Sequence, residues 1–235
     1  MNAFEFIRRN DRETAEQILG DGMKIDPDNY QFPLELSRMF HNPSNELKAE
    51  SPGEKLARIT KELQFGHAAV SLLKKERSQE RDAERKDLIQ NLAQTAFELE
   101  KYDDAASLAT ELILDFGNDA GDVTFDSAAH IGNIILGRVA LKRHDPKKAA
   151  EYLLIAIRAP LRKEKSWLPD IDTTLAKELF AAGEKDAVAE YFRLCEGLWN
   201  LKNEKTLFDY QTKALQLWQE QIKQGKTPSF DFQKP

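Results

Sequence analysis

Residues 131–157 read I-G-N-I-I-L-G-R-V-A-L-K-R-H-D-P-K-K-A-A-E-Y-L-L-I-A-I. An apolar segment runs into a tight polar turn at His144-Asp145, and a second segment opens on paired alanines. Ile131, Ile134, Ile135, Leu136, Val139, Ala140 and Leu141 surround the first segment with apolar side chains, which predicts a helix packed on several sides. Gly132 and Gly137 each cost a helix about 1 kcal/mol against alanine. Close approach of a neighbouring helix accounts for that cost.

The same grammar appears twice more. Residues 90–113 read Q-N-L-A-Q-T-A-F-E-L-E-K-Y-D-D-A-A-S-L-A-T-E-L-I, and a fainter copy runs from Thr174 to Cys195 with its turn at Ala182-Gly183-Glu184-Lys185. Residues that open the second helix, Ala105, Ala149 and Val188, stand 44 and 39 positions apart. Alanine at such positions lets paired helix axes approach closely while larger neighbours fill the grooves.

Leu136-Gly137, Ala140, Ala149, Leu153 and Ala156 in the middle copy, with Leu92-Ala93, Ala96, Tyr102, Ala105, Ala109 and Leu112 in the first, resemble the tetratricopeptide (TPR) family. That family repeats a helix-turn-helix unit about every 34 residues. The chain departs from it in its longer period, in lacking a tryptophan early in each unit, and in His144 and Pro146 at the middle turn. Ala15, Leu19 and the Asp26-Pro27 ending resemble the second half of a further unit. More narrowly, G-N-I-I-L-G-R-V-A-L with the ending G-K-T-P-S-F looks like a group of bacterial TPR-like proteins, which implies no particular activity. The resemblance implies an all-α, TPR-like superhelix (a solenoid) of about ten helices, with a concave face that binds protein or peptide.

Outside the repeats, helices are expected from Asp11 to Lys24 and from Phe32 to Phe40, with a mobile loop over Lys48 to Pro52. A long helix is expected from Gly53 to about Arg81, its stripe weakened at Gly66. Lys74 to Asp87 alternates in sign and reads as a solvated helix end and connector. A final helix over Lys205 to Gln224 carries Leu207, Leu215, Trp218 and Ile222 on one side and is expected to cap the array. Gly225 ends it, and Pro228 to Pro235 reads as a tail. The organisation is thus an N-terminal helical region (1–84), repeats (85–200), and cap with tail (201–235), in one continuous solenoid.

Charge and composition narrow the function. Among 235 residues the net charge is −6, with lysines interleaved among acids, so no basic face for nucleic acid is expected. No apolar run approaches a membrane span, and no signal-peptide core opens the chain, so a cytoplasmic protein is expected. One cysteine excludes an intramolecular disulfide. His41, His67, His130 and His144 form no metal-binding spacing, and neither a phosphate loop nor a G-x-S-x-G elbow is present. No cofactor or metal is therefore expected. Cys195, beside Phe192, reads as a buried, inert thiol.

The candidate binding face draws on all three copies. Gln90, Gln94 and Phe97 come from the first, His130, Ile131, Asn133, Ile134, Arg138 and Leu141 from the second, and Thr173, Lys177 and Phe180 from the third. His130 and Asn133, one turn apart, either form interhelical hydrogen bonds or recognise a ligand's backbone or carboxylate. Arg138 either pairs with an internal acid or receives an anionic ligand group. Aromatics, amides and two cations together suit an extended peptide. The leading expectation is a non-enzymatic protein- or peptide-binding scaffold. The alternatives are a structural subunit docking through its convex face or long helix, and a helical enzyme with a novel site.

Overall fold

A computed structural model describes residues 12–41, 50–75, 78–117, 126–161, 173–201 and 209–232. Among the described residues there are ten α-helices and no strand, so the chain is all-α. They are α1 (Arg12–Ile25), α2 (Gln31–His41), α3 (Pro52–Leu73), α4 (Gln79–Glu98), α5 (Tyr102–Phe116), α6 (Asp126–Lys142), α7 (Pro146–Leu161), α8 (Thr174–Ala181), α9 (Lys185–Leu201) and α10 (Asp209–Lys223). The chain divides into two compact units, Met1–Leu108 and Ala109–Pro235.

In the first unit each helix from α1 to α4 packs on the next. Ala15, Leu19, Leu36, Met39 and Phe40 form an apolar cluster, closed by Phe65 stacked on Phe40 at 6.0 Å. Where sequence predicts a loop up to Pro52, Ser51 instead starts α3 with a capping box. Its hydroxyl accepts from the Glu54 N–H, the Glu54 carboxylate accepts from the Ser51 N–H, and Pro52 takes the first turn. Those bonds hold the Glu54 carboxyl below its ordinary pKa, the contact with the Ser51 side chain contributing most.

The expected long helix to Arg81 is two helices. α3 ends at Leu73, and Ser78 caps α4 by accepting from the Arg81 N–H at 3.2 Å. The charged connector is therefore shorter than its composition suggests, and Arg85, inside it, is buried. Gly66 is not a weak point, because a Cβ there would stand 2.3 Å from the Leu92 side chain, so α3 and α4 meet at this glycine.

Three turns share one geometry. Glu100, His144 and Gly183 all lie in the left-handed region, at φ 58°, 62° and 94°. In each, the N–H of the following residue donates back across the turn: Lys101 to the Ala96 carbonyl, Asp145 to Ala140, and Glu184 to Leu179, at 2.9, 2.9 and 3.0 Å. The left-handed residue itself donates to Phe97, Leu141 or Phe180. This double closure is the Schellman motif. Five residues after each left-handed residue come Ala105, Ala149 and Val188, all fully buried. The middle turn adds Asp145, whose carboxylate accepts from the Lys148 N–H, and Pro146 at the first helical position. The residues that depart from the TPR pattern are thus suited to their turn.

In the second unit α7 packs against α6, α8 and α9, α6 also reaches α8, and α9 carries α10. The expectation that α6 is flanked on several sides is met. A Cβ at Gly132 would stand 2.9 Å from the Ala109 carbonyl oxygen, and one at Gly137 2.4 Å from the Leu175 side chain. The apolar side of α10 buries Ala214, Leu215 and Trp218. Leu207 and the connector 162–172 lie outside the described residues. Residues 228–232 are no free tail, since Pro228 and Phe230 are buried and Phe232 packs on the core.

These contacts set opposite signs for two glycine substitutions. Gly137→Leu must displace Leu175 and should lower stability by about 1–3 kcal/mol in denaturant unfolding. Gly20→Ala, in α1 with nothing within 4 Å of the new methyl, should raise it by up to about 1 kcal/mol. Unchanged stability in Gly137→Leu would show that α6 and α8 do not pack closely at this glycine.

Candidate functional site

Counting back from the left-handed turn residue places the three sequence copies in register. Six residues before it stand Gln94, Arg138 and Lys177, three before it Phe97, Leu141 and Phe180, and ten before it Gln90, Ile134 and Thr173. The candidate face therefore repeats three equivalent helix positions. Burial separates them. Gln94 and Lys177 are exposed and Arg138 is partly so, whereas Phe97, Phe180 and Ile134 are buried. The first polar side chain that solvent reaches at the repeated position is an amide in one copy and a cation in the other two.

Arg138 projects from α6 to Glu178 on α8. Its Nε donates to both carboxylate oxygens, at 3.2 and 3.3 Å, and Nη2 donates to one at 3.1 Å. This forked pairing is the strong form of a charged hydrogen bond. The side chains retain 29% and 33% of their exposure, so water and solutes reach the pair. Arg138 thus has the internal acid that one of its two sequence readings requires, at a place still accessible from outside.

His130 and Asn133 are both buried on α6. His130 Nδ1 donates across to the Ala156 carbonyl of α7 at 3.1 Å, while the Asn133 amide donates to Ala129 in its own helix at 2.7 Å. The His130 bond is the interhelical kind that the packing reading requires, whereas the Asn133 bond stays within α6. Ile131 and Leu141 are half-buried, and Leu141 lies against the core of the second unit. Phe97 packs on Tyr102 across the first turn, with ring centroids 5.5 Å apart. Phe180 takes Phe230 edge-on at 5.7 Å, and the Lys185 ammonium sits 5.3 Å from its ring centre. Thr173 Oγ1 donates to the Phe230 carbonyl at 2.9 Å. Gln90, Gln94 and Phe97 belong to the first compact unit, and the other candidate residues to the second.

Sequence reasoning missed two polar features of the first unit. Glu62 is buried in the middle of the α3 stripe, and its Oε1 accepts from Thr95 Oγ1 and lies against His41 Nδ1, both at 2.8 Å. Ser37 donates to the Glu62 carbonyl, and the Arg58 guanidinium caps α2 by donating to the carbonyls of Phe40 and His41. A glutamate between Ile59 and Leu63 was the available signal. The second feature is a polar cleft of about 670 Å³ where the α1–α2 turn meets the ends of α3 and α4. Lys75 and Asp28 bridge it at 2.6 Å, and Arg81 lies 4.9 Å over the Tyr30 ring.

Among the described residues no group of three or more His, Cys, Asp or Glu is placed to hold a metal ion, and no helix is long and apolar enough to cross a membrane. No protein-family model matches the chain, and no curated protein matches it significantly.

Cys195 is fully buried on α9, and burial pushes its thiol well above the ordinary pKa, only partly opposed by a hydrogen bond with Tyr191. A protonated, enclosed thiol is a poor nucleophile. Ellman's reagent should leave the native protein unlabelled at mildly alkaline pH and label one thiol in denaturant. Rapid labelling of the folded chain would overturn the burial argument.

Proposed function

We propose that the chain is a non-enzymatic TPR-like scaffold that binds a protein or peptide along the face carrying Arg138, Glu178 and Lys177. The observation that carries this reading is the recurrence of an accessible polar side chain at the same position of three helix-turn-helix units: Gln94, Arg138 and Lys177. Within the second unit, Arg138 on α6 and Lys177 on the neighbouring α8 offer an extended ligand two such contacts.

The packing of the second unit supports the TPR-like reading. Contacts between α6 and α8, and between α7 and α9, join first helix to first helix and second to second, as stacked helix pairs do. On this reading α10 is the cap, with Lys213, Gln216, Glu220 and Lys223 exposed on its outer side. The Arg138–Glu178 pair supplies polarity at the face, with a cation for ligand carboxylates and an acid for ligand N–H groups or lysines. Phe180 is an internal support here rather than an open anchor, because it is buried.

Peptides selected from a displayed random library against the immobilised protein provide the test. Arg138→Ala should weaken the selected binders about tenfold or more, in line with arginine anchors at interfaces, and leave the circular dichroism spectrum unchanged. Lys148→Glu, on the exposed side of α7, should change binding by less than about twofold, as rim charges do. Loss of binding with Lys148→Glu and none with Arg138→Ala would favour a subunit that docks through its other face.

A further inference from the structure

Residues 226–235 read K-T-P-S-F-D-F-Q-K-P and show no helical or strand period. The described part nevertheless has a defined place. Gly225, at φ 73°, ends α10 with the same double closure as the three repeat turns, and Gln224 to Thr227 are exposed. The Ser229 hydroxyl then accepts from the Asp231 N–H at 3.2 Å, a local turn that has Phe230 at its centre with φ 56°. Both aromatic rings land on the second unit. Phe230 meets Phe180, Phe192 and Trp218 at 5.7, 6.0 and 6.1 Å, and Phe232 meets Trp218 at 4.8 Å. Beyond the ring contacts, Thr173 Oγ1 donates to the Phe230 carbonyl.

We propose that Thr173, Phe180, Phe192 and Trp218 form a receptor for a Ser-Phe-x-Phe segment of a partner protein, and that residues 228–232 are its internal, displaceable occupant. This deepens the peptide-binding reading above and rests on it. The occupant is held as a short peptide ligand is held, by two aromatic anchors two residues apart and a main-chain hydrogen bond. It hangs on an exposed connector, so it can leave without unravelling α10. Phe230 is a bulky residue in the left-handed region, a conformation that favours release. The receptor also has hydrogen-bonding capacity to spare. Trp218 Nε1 and Gln221 Oε1, one turn apart on α10, are buried and have no partner among the described residues. They are one donor and one acceptor, the complement of a single peptide group.

A tethered occupant competes at an effective concentration in the millimolar range, so the intact receptor rejects a free ligand of ordinary affinity. Fluorescence anisotropy with a labelled K-T-P-S-F-D-F-Q-K-P peptide tests this on the full-length chain. The Phe230→Ala/Phe232→Ala double variant should bind the peptide at least tenfold more tightly than the wild type. A peptide with both phenylalanines replaced by alanine should bind neither protein. Ser229→Ala, which loosens the turn of the internal occupant and leaves every receptor side chain in place, should give intermediate affinity and guards against misfolding of the double variant. Absence of any gain in both variants makes residues 228–232 a fixed structural cap and overturns the proposal. A wild-type dimer that the free peptide dissociates would assign the receptor to a second copy, and overturns the partner assignment. Persistence of Arg138-dependent library binders in the face of either result leaves the wider face reading standing. Their absence, with the peptide gain intact, removes that reading instead.

Discussion

The left-handed residue between the two helices of each pair is the constraint on which the rest depends. Glu100 and His144 adopt it although a side chain there costs about 1–2 kcal/mol, and Gly183 adopts it without that penalty. The return is geometric. Two donated N–H groups satisfy carbonyls that a helix end would otherwise leave open, and the chain reverses within two residues. Because the closure is the same each time, the returning helix meets its partner at a fixed offset. Ala105, Ala149 and Val188 are small and fully buried because they occupy that meeting point. The same offset gives Gln94, Arg138 and Lys177 equivalent places, each within its own helix pair, so the polar position of each copy is a consequence of its turn.

Close approach at glycine is the second consequence. A helix side chain at Gly132 or Gly137 would enter space already held by Ala109 and Ile113 or by Leu175, so α6 reaches its neighbours only where the side chain is missing. In the first unit a different device links three helices. Glu62 on α3 accepts from Thr95 on α4, meets His41 on α2, and its own carbonyl accepts from Ser37. A buried carboxylate left without such partners would cost several kcal/mol, so this network fixes one arrangement of α2, α3 and α4 more sharply than apolar packing does.

What was legible in the sequence follows from these causes. The repeats could be read because small residues recur at the meeting points, and Gly132 and Gly137 could be read because their propensity cost needs a compensating contact. The break between α3 and α4 was hidden by composition, since Lys74 to Asp87 is rich in residues that favour helix on either side of a break. The decisive signal for that break was Ser78, as Ser51 was for the start of α3, and the effect of each serine depends on a hydrogen bond rather than on period. Arg85 read as solvated because charge alternation says nothing about which neighbour will cover a given residue. Burial of Phe97 and Phe180 was missed for a related reason, as position on a helix face does not reveal what packs over it. The ordered segment 228–232 was beyond any periodicity argument, because it is held by one Ser229 turn and by rings from three helices.

The Arg138–Glu178 pair is hard to explain as a device for stability. Exposed ion pairs contribute about 0–1 kcal/mol, because solvent screens them and ordering two long side chains costs entropy. With about a third of each side chain still accessible, this pair belongs near that range. Its forked geometry nevertheless keeps a guanidinium oriented between α6 and α8. A receptor arginine needs that orientation before its ligand arrives, since ordering it on binding would subtract from affinity. On the proposed function, Glu178 is a placeholder that holds the guanidinium in position until a ligand carboxylate competes for it.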